Sequence, residues 1–326
     1  MLNKLKRKLS IVMVIAMVAT ILPYGNTPKA QAATGTWKVG DNVTVVLTND
    51  NTLTISGTGP MEDCKGLPPW NSYSDRIKRI VIEDGITQIG ANTIGNHSYV
   101  ESYYIGKDLS NLSRLFLSSK SRLKGITVSP DNEYFTTLDG ILYSKDMKTL
   151  IAVPRGNTTI TSVVIPEGVT SIGDQAFYYN TNVKSVTIPE GVTSIGSAAF
   201  SNATGLTSLV LPESVTTIRQ EAFAYCTNLR TINLPSGVTT LGAGVFQKTT
   251  NLTSSLAIPE GITVIPKRLF QDAASITSVT LHDNVTTIDD QAFSGALKLE
   301  SINVPNSVQT IGASAFSNTK ALRSIN

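Results

Sequence analysis

A repeat with a nearly constant period runs through most of this chain. An aliphatic residue that opens a pattern of the type Leu-x-x-Val-x-Ile recurs in steps of 23 residues, apart from one step of 37 and one of 24. The pattern opens at Ile77, Val100, Leu123, Ile160, Val183, Leu206, Leu229, Leu252, Ile276, Leu299 and Leu322. A fixed period of this length is typical of a stacked solenoid, because one short unit cannot bury its apolar face alone. We therefore expect function on surfaces, and not in a closed catalytic pocket.

Each unit of the second half predicts two short strands joined by a tight turn. Val186 and Ile188 alternate with Thr187, which is the period of a strand with one buried face. A proline ends that strand because it cannot donate to the sheet. Glycine then permits a turn with a positive φ, and the glycines concerned are Gly168, Gly191, Gly237 and Gly261.

A phenylalanine follows the second strand of each unit. We expect a glycine and a short helical turn to carry an Ala-Phe pair such as Ala199-Phe200. Because the phenylalanines recur at one point of the unit, they are predicted to stack as an aromatic spine of Phe177, Phe200, Phe223, Phe246, Phe270, Phe293 and Phe316.

The first 32 residues are typical of an export signal. Lys4, Lys6, Arg7 and Lys8 precede an apolar run from residue 11 to 22, and Ala30-Gln31-Ala32 provides a small-residue cleavage site. The apolar run is too short to span a bilayer comfortably. We therefore expect a secreted chain, or one associated with the cell surface, that is not stably inserted in a membrane after cleavage.

Removal of the signal changes the charge balance. Five of the 27 lysines and arginines lie in it and no acidic residue does, so the mature chain has 22 basic against 24 acidic side chains. No basic stripe remains that would attract nucleic acid.

Four segments are predicted along the chain. Residues 1–32 form the signal, and residues 33–76 form a β-hairpin cap that contains both tryptophans. Residues 77–159 form degenerate leucine-rich repeats with a β-island, an insertion near 129–155 that we expect to project from the stack. Residues 160–326 form regular repeats, and the chain stops inside the eleventh. Such an ending is expected of a truncated product or of a fragment of a longer protein.

Residues that usually carry chemistry are few and scattered. Cys64 and Cys226 lie several rungs apart in the predicted stack, too far for a disulfide. His97 and His282 fall in different blocks, and the sequence has no His-Glu-x-x-His, Gly-x-Ser-x-Gly or phosphate-loop motif. The sequence therefore predicts a protein that is not an enzyme and has no cofactor and no metal site.

Two rows of polar residues recur with the repeat. The acidic residues after the turn proline could share a calcium ion, although a turn favours polar residues in any case; they are Glu167, Glu190, Glu213, Glu260 and Asp283. A threonine row could suggest ice binding, although threonine also suits an exposed strand; it comprises Thr170, Thr193, Thr216, Thr239, Thr263 and Thr286. We interpret both rows as structural.

The unit from Leu206 to Ile218, followed by Ala222-Phe223 and Cys226-Thr-Asn-Leu229, resembles the BspA-type bacterial leucine-rich repeat. The resemblance extends from about Ile77 to the C terminus, and Pro68-Pro69-Trp70 is similar to the segment that often precedes such repeats. It implies a curved parallel-sheet solenoid in a secreted or surface protein. Some members of that family are adhesins for matrix or plasma proteins or act in co-aggregation. The resemblance implies no catalytic residue.

By analogy with other leucine-rich repeats, the outward residues of the first strands form the predicted ligand face. They include Thr187, Val210, Asn233, Thr280 and Asn303. Aromatic residues of the β-island are an equally plausible contact site, namely Tyr134, Phe135 and Tyr143.

We therefore expect a non-enzymatic binding or adhesion protein for an extracellular protein or glycan, on host matrix or on a neighbouring cell surface. The alternative is a passive scaffold or targeting module of a larger exported enzyme or surface protein, with its acting domain beyond the C terminus. The ligand claim rests on analogy of fold, which by itself does not fix function.

Overall fold

The computed structural model describes residues 33–64, 66–90, 93–94, 97–112 and 122–325. In these residues short strands stack as a β-solenoid, and the helical structure described is a 3₁₀ helix, Pro69–Tyr73. The predicted repeat solenoid is confirmed. The predicted export signal lies outside the described residues.

The N-terminal strands form an antiparallel unit that continues directly into the solenoid. Strand β1 (Ala33–Val39) pairs with β2 (Val43–Thr48), and β2 pairs with β3 (Thr52–Gly57). Strand β3 then pairs in parallel with β5 (Arg79–Ile82), the first strand of the first repeat. Beside them, β4 (Gly59–Pro60) pairs in parallel with β6 (Ile86–Gln88). The solenoid therefore begins on a paired strand, and the predicted hairpin is part of a three-stranded unit.

Each regular repeat contributes one strand to each of two rows. The first-strand row comprises β5, β7 (Ser102–Ile105), β8 (Gly125–Val128), β12 (Ser162–Val164), β14 (Ser185–Thr187), β16 (Ser208–Leu209), β18 (Thr231–Ile232), β20 (Leu256–Ala257), β22 (Val279–Thr280), β24 (Ser301–Ile302) and β26 (Ser324–Ile325). The second-strand row comprises β13 (Ser171–Ile172), β15 (Ser194–Ile195), β17 (Thr217–Ile218), β19 (Thr240–Leu241), β21 (Val264–Ile265), β23 (Thr287–Ile288) and β25 (Thr310–Ile311). Pairing is parallel, and equivalent residues such as Ile172, Ile195 and Ile218 lie opposite one another.

The turn between the two strands is closed as predicted but has two conformations. In the regular repeats that have a turn proline, the N–H group three residues later donates to the carbonyl oxygen of that proline, as the N–H of Val169 does to Pro166. Gly168 and Gly191 have φ of +91° and +102°. Gly237 and Gly261 do not adopt a positive φ, so the expectation fails for them. In those repeats the turn does not require glycine, which explains why Ser214 can stand at the equivalent position.

The β-island lies between the two blocks of repeats and does not project from them. Strands β9 (Phe135–Leu138), β10 (Ile141–Ser144) and β11 (Thr149–Ala152) are antiparallel, and β11 pairs in parallel with β13. Ile141 and Tyr143 pack in the core of the second half of the chain, whereas Leu142 packs in the core of the first half. Because β10 is buried on both faces, the expectation of a projecting island is wrong.

The phenylalanines form the predicted spine. Their ring centroids lie 4.6 to 5.8 Å apart from Phe177 to Phe316, and the rings are stacked at each step. Six of the seven are fully buried, and Phe316 at the C-terminal end is partly buried. Offset stacking and burial of large rings stabilise such a column.

The segment around each phenylalanine is not the helical turn that we expected. The N–H groups of Gln175, Phe177 and Tyr179 donate to carbonyl oxygens of the next repeat, and the residues between them close turns within their own repeat. Gln175 and Tyr179 have left-handed φ values of 59° and 54°. The same alternation recurs in the later repeats. We call the residues two before, at and two after each phenylalanine the turn ladder.

One additional residue interrupts the second-strand row and coincides with one of three breaks in the first-strand row of the regular repeats. It produces the step of 24 residues, and in the described residues β18 does not pair with β20, nor β19 with β21. The hydroxyl of Ser254 accepts the N–H of Ile232 at 3.0 Å, a bond that a backbone carbonyl makes elsewhere. The turn ladder continues through this step, because the N–H of Phe246 donates to the carbonyl of Leu269 at 2.9 Å.

Deletion of Ser254 restores the step of 23 residues and should reconnect the strand rows. We expect it to raise the free energy of unfolding by about 1 kcal/mol, because it adds backbone hydrogen bonds between repeats. Urea unfolding followed by circular dichroism measures the change. The control is deletion of Ser208, which shortens a regular step and should destabilise the chain. If both deletions lowered the free energy of unfolding equally, the additional residue would be a required feature of the stack.

Candidate functional site

The outward side chains of the first strands form one surface, which we call the first-strand face. Parallel register places Val164 opposite Thr187 and Ala257 opposite Thr280. Equivalent positions of the other regular repeats hold Val210, Asn233 and Asn303. The five predicted ligand residues of the first strands therefore share one column, in which neighbouring rungs are about 4.8 Å apart.

Small, uncharged side chains dominate this face. A second outward column consists of serine and threonine hydroxyls, and some of them bond to one another: the Ser185 hydroxyl donates to that of Ser162 at 2.9 Å, and the Ser278 hydroxyl to that of Ser255 at 2.8 Å. Val164 and Val210 are 71% and 74% exposed. Exposed valines without a packing partner are the least explained side chains of the face.

Asn233 is not available to a ligand in the way that the sequence suggests. Its side-chain oxygen accepts the N–H of Leu211 at 2.7 Å, and its amide donates to the carbonyl of Leu211 at 2.8 Å. In other repeats a backbone carbonyl, such as that of Thr280, accepts the equivalent N–H. Asn233 therefore repairs a backbone connection between two repeats, whereas Thr187, Val210, Thr280 and Asn303 are exposed.

The aromatic residues of the β-island divide into buried and exposed side chains. Tyr143 is only 1% exposed, and burial, assisted by the charge of Asp139, raises its pKa to about 12. The prediction that Tyr143 contacts a ligand is therefore corrected, since its ring fills the core. Phe135 packs against the core of the first half, and Tyr134 is 48% exposed. These strands join the second-strand row, so the structure does not bring them together with the first-strand face.

The two polar rows have structural roles. The hydroxyls of Thr193, Thr216 and Thr239 each approach the carbonyl oxygen of the threonine one repeat earlier, at 3.3, 3.3 and 3.5 Å. In the acidic row, Glu213 accepts from the N–H and hydroxyl of Ser236, and Glu260 accepts from Asn284. Among the described residues, no group of three or more His, Cys, Asp or Glu side chains is arranged to hold a metal ion.

His282 also connects repeats. One ring nitrogen, Nε2, lies 2.9 Å from the carbonyl oxygen of Pro259, and the other, Nδ1, accepts the N–H of Asn284 at 3.2 Å. These two bonds fit a neutral ring protonated at Nε2. Glu260 lies 3.3 Å from Nδ1, but an unprotonated nitrogen forms no ion pair. We infer that His282 is a turn residue.

The two cysteines are free, and Cys226 is buried. Its thiol donates to the carbonyl oxygen of Phe200 at 3.0 Å, and burial raises its pKa to about 12. A thiol with so high a pKa is a poor nucleophile at neutral pH.

Sequence reasoning missed several large side chains on the turn ladder that are exposed or partly exposed. Two positions after each phenylalanine the backbone is left-handed, a conformation that glycine, asparagine and aspartate tolerate best. Four repeats have Asn202, Asp272, Gly295 and Asn318 there, but the others have Tyr179, Tyr225 and Lys248. The large side chains at this position were a signal in the sequence, but the left-handed backbone is needed to interpret it.

The stacked rungs, the double strand rows and the phenylalanine spine define a leucine-rich repeat scaffold. The model of the BspA type leucine rich repeat region matches residues 156–274 and 248–326, in six copies, which together cover just over half of the chain. The chain belongs to this family.

Solved structures show the same fold. A leucine-rich repeat protein from Eubacterium ventriosum ATCC 27560 is 25% identical with a TM-score of 0.62, over 90% of this chain and 97% of that one. The leucine-rich repeat protein of T. pallidum is 25% identical with a TM-score of 0.51, over 60% of this chain and 90% of that one. No curated protein matches the chain. Within the described residues, none of the helices has the length and apolarity that a membrane span needs.

The different roles of Asn233 and Asn303 predict different costs of substitution. Asn233→Ala leaves both the N–H and the carbonyl of Leu211 without their partner, so we expect a loss of about 1–3 kcal/mol in unfolding free energy. The matched variant, Asn303→Ala, removes an exposed amide and should change stability by less than about 0.5 kcal/mol. Urea unfolding of both variants tests this, and equal effects would contradict the role assigned to Asn233.

Proposed function

We propose that this chain is an exported, non-enzymatic binding protein that recognises an extracellular protein or glycan with its first-strand face. The observation that carries the proposal is the row of exposed side chains with no structural use on that face, in particular Val164 and Val210 at 71% and 74% exposure. The threonine row of the second strands is occupied by hydrogen bonds between repeats. On the first-strand face Asn233 is used in this way, whereas Thr187, Val210, Thr280 and Asn303 are exposed.

The character of the face indicates weak contacts repeated over a long surface. In the regular repeats it has no Trp, Tyr or Arg of the kind that supplies most binding energy in compact interfaces. Repeated small contacts reach useful affinity through multivalency, when the partner presents a matching array. This favours a fibrous or densely repeated partner, such as host matrix or a neighbouring cell surface, over a small soluble ligand.

Export is part of the proposal and is supported by the sequence of residues 1–32. The alternative, a passive scaffold or targeting module of a larger exported protein, is supported by the mutual bonding of the hydroxyls on the face, which reduces its chemical selectivity. The two differ in one respect: a passive scaffold has no partner that depends on the first-strand face.

The test measures binding of the mature chain, from Ala33, to immobilised matrix proteins, plasma proteins and cell-wall glycans. We expect Val210→Glu to weaken saturable binding about tenfold or more, because it places a charge at the centre of an uncharged surface. The matched control is Val264→Glu, since Val264 is 43% exposed but lies in the second-strand row.

Retained binding in Val264→Glu and loss in Val210→Glu would support the proposal. Loss in Tyr134→Ser instead would transfer the contact to the β-island, whose strands cannot be deleted because they join the two cores. A chain that binds no member of the panel would favour the scaffold function.

A further inference from the structure

Side chains of the turn ladder form a second, partly exposed surface, which is separate from the first-strand face. We call it the tyrosine strip and define it as Tyr178, Tyr179 and Tyr225 with Arg155 and Lys248. The N–H groups of Tyr179, Asn202 and Tyr225 donate to equivalent carbonyl oxygens of the following repeats. Tyr179 and Tyr225 are therefore two rungs apart along the stack, roughly 10 Å.

A cation lies over one tyrosine ring at each end of this strip. The guanidinium carbon of Arg155 lies 5.5 Å from the centroid of the Tyr179 ring, and the ring of Tyr178 meets that of Tyr179 edge-on at 4.6 Å. Two repeats further on, the ammonium of Lys248 lies 5.1 Å from the centroid of the Tyr225 ring. Tyr179 is 46% exposed, so the cation–π pairs line a surface that a partner can reach.

Hydrogen-bond donors near Arg155 lack acceptors. The Nε–H of Arg155 and the side-chain amide of Asn180 are buried and have no partner among the described residues. Asn180 is 1% exposed and directly follows Tyr179. The two segments are joined, because the amide of Asn182 donates to the carbonyl of Arg155 at 2.9 Å. A buried donor without an acceptor is costly, which leaves the Arg155 side chain incompletely satisfied by the stack.

A negatively charged group is the natural partner for the Arg155 guanidinium. Among the described residues no carboxylate forms an ion pair with Arg155 or Lys248, whereas Lys124 and Lys267 have such partners. Burial lowers the pKa of Arg155, whereas Tyr178 and Tyr179 raise it. Carboxylates do not contribute to this shift. Burial and the neighbouring Tyr179 raise the pKa of Tyr178, Arg155 lowers it, and Glu221 has a smaller raising effect.

The left-handed backbone at this position belongs to the turn ladder of every regular repeat. Tyr179 and Tyr225 have φ of 54° and 60° there, where asparagine, as at Asn202 and Asn318, fits better than tyrosine. The left-handed backbone is therefore a property of the stack, whereas a large aromatic residue at this position is not required by it.

We propose that the tyrosine strip binds an acidic polysaccharide that runs along the solenoid axis, with sugar rings on Tyr179 and Tyr225 and a carboxylate on Arg155. A pyranose ring has an apolar C–H face that packs on an exposed aromatic ring, and the two tyrosines are separated by a distance comparable to one disaccharide unit. A guanidinium donates two parallel hydrogen bonds to the oxygens of a carboxylate. The strip has no deep apolar pocket of the kind that anchors peptide side chains, which favours a glycan over an acidic peptide.

This inference goes beyond the proposed function, because it assigns a different surface and a defined chemical class of ligand. The experiment titrates the mature chain with an oligogalacturonate by isothermal calorimetry. We expect saturable binding that falls about tenfold or more in Tyr179→Asn and in Arg155→Gln. Tyr179→Asn should remain folded, because asparagine suits the left-handed backbone, and its circular dichroism melting curve verifies this.

Three controls make the result specific. Lys298→Gln removes an exposed cation elsewhere in the repeats and should leave binding unchanged. The methyl ester of the same oligosaccharide keeps the sugar rings but has no charge, and should bind about tenfold more weakly or worse. Val210→Glu alters only the first-strand face and should leave oligogalacturonate binding unchanged. This variant therefore distinguishes a failure of the proposed function from a failure of the tyrosine strip as a binding site.

Other outcomes would overturn the inference. No binding of oligogalacturonate, or equal binding by the wild type and Tyr179→Asn, would remove the tyrosine strip as its site. Equal weakening in Lys298→Gln would show non-specific attraction by positive charge. Binding of poly-glutamate as tight as that of the oligosaccharide would show that the strip recognises an acidic peptide.

Discussion

The stack depends on hydrogen bonds and ring contacts made between repeats. A strand of two or three residues cannot satisfy its backbone or bury its apolar side chain alone, so each rung is stable only against its neighbours. The second-strand row donates from one repeat to the previous one, and the turn ladder donates from one repeat to the next. The first-strand row has bonds in both directions. The phenylalanine spine fills the space between these connections. At Ser254, where both strand rows are interrupted, the turn ladder, the spine and a few bonds such as that from Ile232 to Ser254 maintain contact between the rungs.

The repeat period predicted the fold because it reports a physical requirement of every unit, a buried residue at a fixed point. It could not predict the left-handed residues beside each phenylalanine, since Gln175, Glu221 and Arg268 adopt that conformation without any preference for it in isolation. Nor could it place the β-island. The three consecutive apolar residues from Ile141 to Tyr143 are compatible with a projecting strand. Their burial is explained only by the two cores that pack on either side of the strand.

Prediction of the candidate site was limited for a related reason. Position in the repeat identifies which side chains face outwards, but not which of them the stack uses. Asn233 and Asn303 are equivalent in the sequence, yet one amide replaces a backbone connection and the other is exposed. The difference depends on where the neighbouring strand ends. Single-residue roles of this kind follow from three-dimensional contacts and have no signal in the period.

A side chain that the stack does not use is therefore the most informative kind in a repeat protein. Threonines of the second strands, Asn233 and His282 are all exposed or partly exposed, but hydrogen bonds between repeats account for each of them. No side-chain hydrogen bond between repeats accounts for Val210 or Tyr179, and Tyr179 also occupies a backbone position that disfavours it. Asparagine suits that position better. The choice of tyrosine there, beside an arginine without a carboxylate partner, is the reason for proposing an interaction beyond the fold.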